Sequence, residues 1–193
     1  MDNYGIYYSF SKEKESLLIL FSLEDVTYQK SLGRVIVSYH DVDVVSYRIK
    51  DINKIIKIHA DGLIPMLNDE LLSIINNVLI KDGLAPLRNK KHSGFYNAEV
   101  ISITPLKVKT IDGEYNIEGQ YDVKLNDHVV MVKKGTFLFD KSQAKKDYLC
   151  SLKDLEIANS DELLIDDELD INEDFFSTSC PVICQVPKTA KIK

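Results

Sequence analysis

Three cysteines in 193 residues, Cys150, Cys180 and Cys184, are an odd number with no secretory signal before them, so a disulfide framework is not expected and the thiols should be reduced. Cys180 and Cys184 are four apart with Pro181 between them, and His40, His59, His92 and His128 lie far off in the chain. The paired short spacings of a zinc site are therefore missing, and no metal or other cofactor is expected. Glycine is sparse as well: the 8 residues are scattered, which excludes a glycine-rich phosphate loop. No apolar run approaches the ~20 residues of a membrane helix, and MDNYGIYYSF has no basic stretch leading into an apolar one. A cytoplasmic protein without a membrane segment is the expectation, and no internal repeat is visible.

A nucleophile with a base beside it is also missing. In KKDYLCSLKDLEI, residues 145 to 157, Cys150 and Ser151 stand side by side, yet no histidine is near and no Gly-x-Ser-x-Gly elbow surrounds the serine. Lys146 or Lys153 would depress a thiol pKa if placed close to it. The plainer reading is a packed cysteine beside a turn serine, and the protein is not expected to be an enzyme.

Charge is present but unevenly distributed. The chain has 24 basic and 30 acidic residues, a net charge of −6, which argues against a general nucleic-acid binder. Between Asp154 and Asp174 the chain has ten acids and no base, so the excess belongs to one segment and the remaining surface is free to carry a basic patch. That acidic run lacks the spacing and central glycine of a calcium loop. Its apolar residues, Leu163, Leu164, Ile165, Leu169 and Ile171, fit a strand and turn with a solvated rim.

Periodicity divides the chain. Tyr4 to Phe10, Leu17 to Leu23, Arg34 to Tyr39 and Asp43 to Ile49 alternate as short strands. NDELLSIINNVLIKDG then changes to helical spacing, with Asn68 as N-cap, acids in the first turn, and Gly83 as the stop. LAPLRNKKHSG, residues 84 to 94, reads as a linker. Beyond it, Tyr96 to Ile103, Lys107 to Ile111, Glu114 to Gly119, His128 to Lys133 and a strand near Leu163 to Ile165 supply five strands, with turns at Asp112-Gly113, Asn126-Asp127 and Gly135. The expected class is α+β: a small α/β module over residues 1–90, a five-stranded barrel over 95–176, and a flexible tail over 177–193.

The lysines of the second half are the candidate site. Lys107 and Lys109 alternate on one strand and so share a face. Lys133 and Lys134 close another strand, and Lys145 and Lys146 lead into Tyr148 and Ser151. Folded into a barrel these cations would converge beside Tyr148 and Tyr121, the combination of charge and stacking that holds single-stranded or looped RNA. A solvated lysine face on an ordinary barrel is the competing reading.

GFYNAEVISI, KVKTIDG, LNDHVVMVKKG and YLCSLKDLEI, in that order, resemble the EMAP-type tRNA-binding domain, an OB-fold. YLCSLKDLEI is similar to that family's late signature loop, with Ser151 and Lys153 on matching positions. NYGIYYSF, SLLILF and VVSYRIKDINKIIKI resemble the domain that precedes it in YtpR-type proteins. The resemblance implies a five-stranded OB-fold barrel and a non-enzymatic protein that binds tRNA or another structured RNA. The resemblance adds Ser151 and Lys153 to the candidate contacts, which with the residues read from the pattern are Lys107, Lys109, Lys133, Lys134, Lys145, Lys146, Tyr148, Ser151 and Lys153. Ile103-Thr104-Pro105-Leu106 is shorter than the family's loop between its first two strands, and EGQYDV, residues 118 to 123, differs from the family's segment. A degenerate OB-fold serving as a homodimerisation or protein-interaction module is the alternative expectation.

Overall fold

The computed structural model describes residues 3–9, 16–58, 62–64, 66–91, 93–139, 155–164 and 191–192. The fold is mostly β, with one helix and two larger antiparallel sheets.

The first sheet has six strands: β1 (Gly5–Ser9), β2 (Ser16–Leu20), β3 (Tyr28–Leu32), β4 (Val35–His40), β5 (Asp43–Lys50) and β7 (Gly62–Ile64). Their order across the sheet is β3-β4-β5-β2-β1-β7. A short β6 (Ile56–Lys57) lies outside it. Alternation sends Val35 and Val37 of β4, and Tyr47 and Ile49 of β5, to one face, where they meet Ile6, Tyr8, Leu17 and Ile19. The helix α1 (Asp69–Lys81) covers that face with Leu71, Leu72, Ile75 and Leu79, one apolar stripe at helical spacing. Each fully buried Leu or Ile contributes roughly 1.5–3 kcal/mol. Asn68 caps the helix by accepting the Leu71 N–H at 2.8 Å, and Gly83, at φ +79°, ends it. At the same end the Asp82 carboxylate accepts the N–H groups of Arg34 and Val35 at 2.7 and 3.1 Å, tying the helix to the start of β4.

Residues 84–90 have no regular secondary structure, as a linker would, but they are pinned down. Leu87 is buried in the first core, its N–H and carbonyl are both held by the Asn76 side chain, and Asn89 donates to Asp69 at 2.7 Å. The segment is a strap along the helix.

The second sheet is built from β8 (Phe95–Ile103), β9 (Leu106–Thr110), β10 (Gly113–Asn116), β11 (His128–Val132) and β14 (Glu162–Leu164), in the order β10-β9-β8-β11-β14. These are the five strands read from the sequence. Its register shifts between Val100 and Ser102, leaving one extra residue on β8, which bends the sheet. Across the curled sheet the Lys133 ammonium, just past the end of β11, sits 5.5 Å from the Tyr115 ring centroid on β10. The result is a half-barrel around Tyr96, Ala98, Val100, Val108, Ile117, Val129, Met131 and Leu163. Among the described residues no pairing joins β10 to β14.

Two small pairs complete the fold: β12 (Phe137–Phe139) with β13 (Leu155–Ile157), and β15 (Lys191–Ile192) with β6. The first sheet meets β12 and the turn before it near the start of β1. Asn3 donates its side-chain amide to the Gly135 carbonyl at 2.7 Å, and a Cβ on Gly5 would lie 2.7 Å from the Phe137 ring. Among the described residues no helix is long and apolar enough to cross a membrane.

Candidate functional site

Where the strap meets the half-barrel, a cleft of about 350 Å³ opens. Five cations line it: Arg88, Lys90 and Lys91 from the strap, and Lys133 and Lys134 from the turn after β11. The strap is held by the Asn76 and Asn89 contacts and by Tyr4, whose hydroxyl donates to the Arg88 carbonyl at 2.7 Å. The turn is held from three sides. Lys133 N–H donates to the Gly94 carbonyl at 2.9 Å, Lys134 N–H to the Asp161 carboxylate at 2.8 Å, and Gly135 N–H to the Ala158 carbonyl at 2.8 Å. Gly94 sits at φ +91°, and a side chain there would run into Thr136, so the floor of the cleft requires glycine.

The side chains of this cleft are electrostatically unbalanced. Among the described residues no carboxylate forms an ion pair with Lys90, Lys91, Lys133 or Lys134. Lys90 Nζ lies 4.7 Å over the Tyr4 ring, and burial pushes its amine down to about 8, while burial pushes the Tyr4 hydroxyl up to about 12. Tyr96, also at the cleft, has its hydroxyl raised above the usual range, first by burial and then by its hydrogen bond with Asp112. Cations that line one cleft with no carboxylate among its lining residues create a positive potential that an anion relieves.

The nine residues expected at the site divide into three groups. Lys133 and Lys134 line the cleft. Lys107 and Lys109 share the outward face of β9, since Leu106, Val108 and Thr110 take the inward one, but neither lines the cleft. Lys109 is paired across the strands with Glu99 on one side and Glu114 on the other, so its charge has carboxylates for neighbours. Lys145, Lys146, Tyr148, Ser151 and Lys153 lie outside the described residues, as does Cys150. Tyr121, read as a stacking surface, packs against the inner core and accepts the Leu163 N–H at 3.4 Å.

Arg88, Lys90 and Lys91 were missed because a basic Pro- and Gly-containing stretch was read as a linker. The signal that would have found them is the pairing of that stretch with the basic turn at Lys133-Lys134, which only the tertiary fold supplies. No family model, curated protein or solved structure matches the chain.

Proposed function

We propose that the protein binds RNA, tRNA being the first candidate, through the cationic cleft at the edge of the half-barrel. The observation that carries this reading is the set of five cations on one cleft, four of them lacking a carboxylate partner among the described residues. Phosphate oxygens are the natural complement of such a cleft, and Lys and Arg contacts to them supply affinity without reading sequence. On this proposal the half-barrel is an OB-fold barrel of the EMAP type, joined to a separate N-terminal module in a cytoplasmic, non-enzymatic protein. The strand order β10-β9-β8-β11-β14 supports it: a three-strand meander with the fourth strand beside the first is a Greek-key arrangement that OB-folds use.

A gel-shift titration against total tRNA at two salt concentrations tests it. Binding should weaken with salt by about 0.7 log units per log unit of salt for each phosphate contact. Replacing Lys90, Lys91, Lys133 and Lys134 together with Ala should weaken binding and flatten that slope. A parent protein that shifts no tRNA at low salt overturns the proposal.

A second reading has its own observation. Leu23, Val26, Tyr28 and Val42 are exposed, Val42 by 85%, and β3, which carries Tyr28, is an edge strand of the six-stranded sheet with no partner on its outer side among the described residues. A protein-interaction or homodimerisation module would use that edge, and sedimentation of the protein without RNA would reveal the dimer.

A further inference from the structure

Lys90 differs from the other cations of the cleft. Its side chain is only partly exposed, its Nζ rests over the Tyr4 ring, and the other charged residues lining the cleft are Arg88 and Lys91 on its own strap and Lys133 and Lys134 on the facing turn, with two carboxylates at the border, Asp161 on the Lys134 N–H and Asp69 on the Asn89 amide. No carboxylate pairs with it among the described residues. We propose that Lys90 is an acylation site, at which a small acyl phosphate docks its phosphate among the neighbouring cations and transfers its acyl group to Nζ.

Two requirements of that reaction meet at one residue. An amine attacks only when neutral, and burial brings this one down to about 8, so about a tenth of it is unprotonated at pH 7. An acyl phosphate is an anion, and the four other cations that line the cleft with Lys90 offer its phosphate contacts and favour the charge that grows on its leaving group. The Nζ lone pair attacks the acyl carbon, and the bond from that carbon to the phosphate oxygen breaks. Inorganic phosphate departs with the electron pair and takes the proton that Nζ loses. Nothing is oxidised or reduced. The product is a neutral amide over the Tyr4 ring, which leaves the cleft with four cations.

This chemistry is read without RNA and does not depend on the RNA proposal. The full chain is incubated with acetyl phosphate at neutral pH, and acetylation is followed lysine by lysine by mass spectrometry. Lys90 should acetylate about tenfold faster than the exposed Lys30 and Lys57, the expected net effect of a more neutral but less basic amine. Inorganic phosphate should slow Lys90 and leave the other two unchanged. p-Nitrophenyl acetate, an uncharged donor, should show a smaller preference for Lys90, and Lys134→Ala should slow Lys90 with acetyl phosphate alone. Labelling of Lys90 no faster than Lys30 and Lys57 overturns the proposal, and so does an equal preference with both donors, which would leave the phosphate no seat.

Discussion

Asn76 holds Leu87 by both ends of its amide: Nδ2 donates to the Leu87 carbonyl at 2.9 Å, and Oδ1 accepts the Leu87 N–H at 2.7 Å. This clasp, placed on the helix, converts a segment with linker composition into one wall of the cleft. Asn76→Ala should lower stability by about 1–3 kcal/mol, since two backbone groups lose their partner. It should also expose Arg88, Lys90 and Lys91 to trypsin well below the unfolding midpoint. If cleavage of the variant still required global unfolding, the clasp would not be what holds the strap.

The two lysine pairs of the half-barrel should behave differently toward tRNA. Lys107→Ala with Lys109→Ala should leave the salt slope unchanged, because Lys109 already faces Glu99 and Glu114 and neither lysine reaches the cleft. Lys133→Ala with Lys134→Ala should reduce the slope by about 1.4, two contacts' worth. The reverse pattern would move the binding face to the outside of β9.

Lys90 makes stability depend on pH in a predictable direction. Its folded amine titrates at about 8 against an ordinary 10.5, so between those values the unfolded chain binds more protons and stability rises with pH. Lys90→Met removes the buried charge and should stabilise the protein at pH 7 by about 1–2 kcal/mol, a figure discounted for partial exposure. That advantage should shrink toward zero near pH 10. Urea unfolding at pH 7, 8.5 and 10 measures it, and a gain equal at all three would trace the effect to methionine packing.

Gly5→Ala should destabilise by about 1–3 kcal/mol through overpacking, because the added methyl would lie 2.7 to 3.0 Å from three atoms of buried Phe137. Thermal melts of Gly5→Ala, Phe137→Leu and the double variant form a cycle. The double variant should lose less than the sum of the singles if the ring is what the methyl meets.

Much of the fold was legible because periodicity carries it. The alternation at residues 35–40 and 43–50 and the helical stripe of Leu71, Leu72, Ile75 and Leu79 each mark a face that must be buried, and the structure buries it. The turns were legible for a backbone reason: Asn126, Gly113 and Gly135 adopt positive φ, and those residue types tolerate it. β3 was not legible. Tyr28, Gln29, Lys30 and Ser31 are exposed on both faces of an edge strand, so no burial pattern reaches the sequence, and the strand exists because Gly33 turns it onto β4. The site was half legible for a related reason. Lys133 and Lys134 stand out beside a strand, whereas Arg88, Lys90 and Lys91 gain their meaning only when the helix and Tyr4 fix them opposite that turn.

The hydrogen bond from Asn3 to Gly135 has a temporal side. On a ribosome adding about 5–20 residues per second, Asn3 leaves the tunnel on the order of ten seconds before the carbonyl it binds has been made. The helix and strap can settle on their sheet in that interval, but the facing turn arrives later, and the Ala158 and Asp161 groups that hold it later still. A nascent chain stalled before Lys133 therefore carries three clustered cations and no opposite wall, and the cleft begins to exist only as the half-barrel closes onto β1.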